Sequence, residues 1–188
     1  ESGGQPMIEA PQSFGVREEC RKAAWQNGFR RQLGEHEGWA RFASTTAKGE
    51  IALAAAGPQG PWFLALDHPG VVAELGCVPA ELSGPGLARF AFDRLTPLYA
   101  LLPRVYELSL ALPDAPLARF KVETEGLPRS TEAEQLVIQR RGQEIFRASL
   151  LRYWQGRCPL TGIAEEALLR ASHIVPWKDC ADDAERLD

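Results

Sequence analysis

The chain has 188 residues, 45% of them hydrophobic and 24% charged, with 17 glycines and 14 prolines, the mix of a globular protein with one larger or two small domains. Collagen-like, low-complexity and disordered classes are excluded, and a formal net charge of −4 makes the whole chain no magnet for phosphate backbones. No apolar stretch reaches the roughly 18 residues of a membrane span, since the run Ile51 to Ala56 is cut by Gly57-Pro58; neither a membrane helix nor a secretion signal is expected, and the cytoplasm is the default.

Residues 1–6, ahead of Met7, read as a fusion or cleavage scar. Cys20, Cys77, Cys158 and Cys180 form no CxxC pair, which suits reduced thiols better than a disulfide framework. Val16 to Arg31 carries apolar residues at helical spacing, with Gly34 available as a stop. The period then changes, and Trp39 to Thr45, Glu50 to Ala56 and Trp62 to Leu66, bounded by Lys48-Gly49 and Gly57 to Gly60, predict a three-strand meander with Trp39, Phe42, Trp62 and Phe63 in its core. Asp67-His68-Pro69 reads as a helix-start turn, with a short helix from about Gly70 to Leu75.

Gly76 to Gly86 reads as a loop, and Gly86 to Leu102 mixes helical signals with Pro97. Val105 to Leu112 is open between a strand and a buried helix end. Asp114 to Arg129, with Pro113, Pro116 and Pro128 in or beside it, is the best linker candidate, although Leu117 to Thr124 could pair as a strand. The expected domain boundary is near Pro128, with an N-terminal domain at 7–128 and a second at 129–188. Thr131 to Glu134 has the form of a capping box and opens a helix running to about Gln155, with Gly156 as its stop. Gly142 inside that helix costs roughly 1 kcal/mol relative to alanine, which points to close packing or a break.

Charge is uneven along this second half. From Arg129 to Arg157 six arginines face three glutamates, and from Cys158 to Asp188 three bases face seven acids. A polyanion-facing surface beside a metal-facing one and an ordinary solvated helix are equal readings. The last thirty residues gather Cys158, Thr161, Ser172, His173, Trp177, Lys178 and Cys180. His173 lies near a predicted strand end before Pro176; imidazole there suits a general base, although a lone histidine between Ala171 and Ile174 is more often a hydrogen-bonded core residue.

The run Arg141-Gly-Gln-Glu-Ile-Phe-Arg-Ala-Ser-Leu-Leu-Arg152, then Cys158-Pro-Leu-Thr-Gly162, then Ala171-Ser-His-Ile-Val-Pro-Trp177, then Glu185-Arg-Leu-Asp188 resembles the HNH endonuclease family, in the branch with RxGQxxFRxxLL, CxxTG and ASHIxPW motifs. The resemblance covers about residues 135 to 188. It implies that His173 activates the water attacking a scissile phosphate and that a divalent metal ion, Mg²⁺ or similar, stabilises the developing charge. It places double-stranded DNA near Arg140, Arg141, Arg152 and Lys178, while Gln143 and Arg147 brace the fold.

Two departures from the family pattern stand out. Cys158 and Thr161 fall where some relatives have a CxxC zinc half-site; with a hydroxyl in place of the second sulfur, structural zinc is not expected, and Cys158 reads as a small buried thiol. Ser172 stands where many relatives carry a metal-binding Asp or His, and the family's asparagine and final ligand lie beyond Asp188. The metal ligands therefore stay unassigned, and the chain is expected to be a C-terminally truncated, inactive fragment with residues from Lys178 onward loosely held.

The expected class is α+β: an N-terminal domain with a small antiparallel sheet and helices, then a long helix and a partial ββα-metal domain. The expected function is that of a metal-dependent DNA endonuclease of restriction or defence type, with DNA targeting by the N-terminal domain and a homodimer left open. The alternatives are a non-catalytic DNA- or partner-binding module, and a small-molecule sensor domain that gates a nuclease.

Overall fold

The computed structural model describes residues 7–188, so the expected scar at 1–6 lies outside it. The fold is mixed α and β, as expected. Two compact units divide the chain, Glu1–Ser109 and Leu110–Asp188. The boundary expected near Pro128 falls inside the second unit. Among the described residues no helix is long and apolar enough to cross a membrane.

The first unit begins with α1 (Phe14–Gln26), whose N-terminus is capped by the Ser13 hydroxyl accepting from the Val16 N–H. It ends earlier than the expected Arg31 because Asn27 donates from its side chain to the Ala23 carbonyl and Gly28 turns to φ +85°, a conformation that favours glycine. A β-carbon at Gly28 would come within 2.4 Å of the Tyr106 ring, so the turn also needs glycine for space.

Five antiparallel strands follow in meander order: β1 (Arg31–His36), β2 (Trp39–Ala43), β3 (Glu50–Ala55), β4 (Trp62–Leu66) and β5 (Ala88–Phe92). The three expected strands are present, and Trp39, Phe42, Trp62 and Phe63 are all buried. The two unexpected strands lie at the edges. Every residue of β1 is exposed, so its sequence carries no alternation, and a register shift between Gln32 and Gly34 breaks its pairing. In β5, Pro85 and Gly86 just upstream masked a strand that pairs with β4 along its whole length.

Helix α1 packs on β2 and β3. The opposite alternation of the sheet holds a cluster of Trp39, Ala52, Ala54, Phe63 and Ala65 under Leu82. The short α2 (Pro69–Leu75) starts as expected, with His68 Nδ1 accepting from the Val71 N–H. Val105 to Leu112, open in sequence, belongs mostly to α3 (Leu95–Ala111), where Leu98, Leu102, Val105 and Leu108 are buried at helical spacing.

In the second unit the expected linker is instead α4 (Asp114–Thr124). Its prolines misled because Pro113 is the N-cap and Pro116 lies in the first turn, where a missing N–H leaves no helical bond unmade. It packs against α5 (Glu132–Tyr153), which opens on the complete capping box of Thr131 and Glu134. Phe120, Ile138, Ile145, Phe146 and Leu187 form the core of this unit.

Residues 154–188 form two 3-10 turns, Glu166–Leu168 and Trp177–Asp179, and no strand. The segment around His173 is thus not the expected strand; a strand requires a neighbour to take up its backbone hydrogen bonds, and no described residue pairs with it. The tail is not loose either. Leu187 is only 3% exposed, Cys180 is buried, and Arg186 is held by several hydrogen bonds.

Candidate active site

Helix α5 presents Gly142 and Phe146 on one face, one turn apart. The chain returns with the same spacing at His173 and Trp177. The His173 ring stacks on Phe146 with centroids 3.9 Å apart and planes 19° apart. Trp177 lies against Gly142, where an added β-carbon would meet the indole at 1.9 Å. This is the close packing that the glycine pointed to. Trp177 also meets His173 edge-on at 5.8 Å and Phe120 at 6.2 Å.

His173 Nε2 lies 2.9 Å from the carbonyl oxygen of Arg186. A carbonyl only accepts, so Nε2 carries the proton and, in the neutral ring, the lone pair sits on Nδ1. This assignment follows from the chemistry of the acceptor. Among the described residues Nδ1 has no hydrogen-bond partner. A neutral imidazole held in this way can take a proton from a water molecule at Nδ1.

Arg186 is itself fixed. Its Nε donates to the Trp177 carbonyl at 3.3 Å, Nη2 to the Cys180 carbonyl at 3.4 Å and Nη1 to the Asp183 carboxylate at 2.8 Å, while the guanidinium sits 5.6 Å from the centre of the Trp177 ring. Arg147 reaches both the side chain and the backbone carbonyl of Glu166, each at 3.2 Å, and so braces α5 against the following segment.

The expected DNA-facing residues are spread around α5 and beyond it. Arg140, Arg141 and Lys178 are exposed and Arg152 is half-buried. Glu144, a natural partner for Arg140 one turn away, instead pairs with Arg141 at 3.5 Å. Arg141 and Arg152 lie on the same side of the helix, three turns apart.

Cys158 is half-exposed, not buried as expected. Its turn closes through the Gly162 N–H to the Cys158 carbonyl at 2.9 Å and the Cys158 N–H to the Ile163 carbonyl at 2.8 Å. The Thr161 hydroxyl, and then the backbone N–H groups of Thr161 and Leu160, hydrogen-bond the sulfur and hold this thiol below the usual thiol range.

Among the described residues no three His, Cys, Asp or Glu side chains come together to hold a metal ion. Three acids of the tail are turned onto their own segment: Asp182 accepts from the Glu185 N–H, Asp183 binds Arg186, and Glu185 accepts from the Ala181 N–H. Ser172, beside the candidate base, is exposed and a poor ligand. The described residues therefore do not fit the divalent metal ion that the motif resemblance implies.

The first unit has a recess of its own, about 360 Å³, over the cross-strand pair Ala52 and Ala65. Arg41, Glu50, Glu37 and Asp67 stand at its rim, with Arg41 bound to Glu50 at 2.5 Å and Asp67 accepting from the Glu50 N–H at 2.7 Å.

Sequence reasoning named His173 but assigned no role to Phe146 or to the Arg186 carbonyl. The signal for Phe146 was its i,i+4 spacing from Gly142. The Arg186 carbonyl left none, because a backbone acceptor has no residue identity. Compared with known proteins, the chain matches no family model, no curated protein and no solved structure.

Proposed function

We propose that the chain carries the base-bearing part of an HNH-type, metal-dependent endonuclease that hydrolyses phosphodiester bonds of double-stranded DNA. The observation that supports this reading best is the environment of His173. Its Nε2 is committed to a carbonyl, its ring is clamped on Phe146, and Nδ1 is left without a protein partner. His173 is only partly buried and Nδ1 is not sealed off, so a water molecule can reach the free lone pair. Three of the four motif segments also meet: Phe146 touches His173, Gly142 touches Trp177, and Arg186 touches both Trp177 and His173.

The nuclease reading assigns the proton transfer to His173 and leaves the metal ligands unassigned. The test is plasmid cleavage in Mg²⁺, Mn²⁺, Ni²⁺ and Zn²⁺. His173→Ala should lower cleavage by about 10²- to 10⁴-fold, the usual contribution of a general base, without weakening DNA binding. Cleavage that survives the substitution would place the base elsewhere.

For the first unit, the recess over Ala52 and Ala65 favours a small-molecule sensor over a DNA reader. Glu37, Glu50 and Asp67 outnumber Arg41 at its rim, which repels a phosphate backbone. Duplex binding by the first unit that fades as salt rises would reverse this preference.

A further inference from the structure

We propose that Gly142, Trp177 and Arg186 form a positioning device for His173, in which each residue seats the next. The proposal rests on the reading of His173 as a base. Gly142 removes the one methyl that would block the indole. The seated indole offers its face to the Arg186 guanidinium, and its backbone carbonyl accepts from Arg186 Nε. With its side chain bound to the Trp177 and Cys180 carbonyls and to Asp183, Arg186 holds its segment in a closed turn. That turn brings the Arg186 carbonyl to Nε2 of His173. The device thus selects which ring nitrogen keeps its proton, and by exclusion which one is free to accept another.

A packing role alone would not need this connectivity. Trp177 could fill the core against Phe120 without binding Arg186, and Arg186 could pair with Asp183 without donating to two carbonyls. Lysine at 186 would keep the charge but lose the planar fork that stacks and donates along several directions at once. The role of Arg186 is geometric, so charge conservation should not preserve it.

The test reads the tautomer directly, by long-range ¹H–¹⁵N correlation of the imidazoles in the 188-residue chain at alkaline pH. His68 is an internal standard: its Nδ1 accepts from the Val71 N–H, so its proton also resides on Nε2, and none of the substitutions touches it. Arg186→Lys and Gly142→Ala should each lower the ratio of Nε2–H to Nδ1–H tautomer at His173 about tenfold, equivalent to about 1.4 kcal/mol and in the range of one hydrogen bond. The His68 signal should not move. Adding Trp177→Phe to Gly142→Ala should return the ratio toward wild type, because the smaller ring leaves room for the methyl.

An unchanged ratio in folded Arg186→Lys overturns the proposal, as does a Gly142→Ala shift that Trp177→Phe fails to relieve. If Gly142→Ala does not fold, Arg186→Lys decides alone, since that side chain is partly solvent-exposed. A ratio that moves as expected, together with DNA cleavage that survives His173→Ala, would keep the positioning device and remove the base reading.

Discussion

His173 and Phe146 lie face to face, 3.9 Å between centroids, so the candidate base is carried by the helix that forms the core of its unit. Phe146→Ala should cost about 3–5 kcal/mol, the usual loss for a buried phenyl group, and Phe146→Leu distinctly less. Urea unfolding followed by a probe in the second unit measures both. Equal losses would show that refilling the volume recovers nothing and that the loss belongs to the aromatic stack itself.

The capping box of α5 makes a pH-dependent contribution. Backbone and hydroxyl hydrogen bonds from Thr131 and Ser130 hold the Glu134 carboxyl below its ordinary range. A depressed carboxylate stabilises the fold above its unfolded pKa and loses that contribution as pH falls through the folded value. Glu134→Gln should flatten the acid side of the stability profile, and Thr131→Ala should cost about 1 kcal/mol at neutral pH. Parallel profiles for wild type and Glu134→Gln would count against the reciprocal cap.

Cys158 should be alkylated by iodoacetamide at lower pH than an ordinary thiol, because the Thr161 hydroxyl and two N–H groups favour its thiolate. Thr161→Val removes the largest of these and should shift the reactivity profile to higher pH, while the backbone donors retain part of the effect. Cys20, pushed up to about 12 by burial, should stay unmodified until the protein unfolds. Mass spectrometry after timed alkylation across pH reads both sites at once. A Thr161→Val profile that overlays wild type would remove the hydroxyl from the account.

If the basic residues on and beyond α5 meet DNA, Arg140→Ala and Lys178→Ala should each reduce the slope of log affinity against log salt by about 0.9, the release of one counterion. Arg147→Ala should leave the slope unchanged and lower stability, since Arg147 is tied to Glu166. Fluorescence anisotropy with a duplex at several salt concentrations separates the two classes. A slope that changes only with Arg147 would exchange their roles.

Some features were legible in the linear chain because their causes are local. The α5 start was readable from Thr131 and Glu134, the α2 start from His68-Pro69, and the three central strands from residues with both faces to bury. Gly142 announced a close approach without naming the group that approaches. The sequence by itself thus determined the mixed class, the inner meander, the long helix and the identity of the candidate base.

Tertiary structure alone decided the rest. Strand β1 exists because β2 offers it an edge, and none of its own residues is buried. The segment after Pro113 is a helix because its prolines fall where helices tolerate them and because α5 covers its apolar side, which composition cannot report. The protonated nitrogen of His173 is set by the Arg186 carbonyl, a backbone group whose placement depends on a side-chain network spanning Gly142 to Arg186. Local propensity is encoded within a few residues, whereas a hydrogen bond between distant segments depends on where the whole unit brings them.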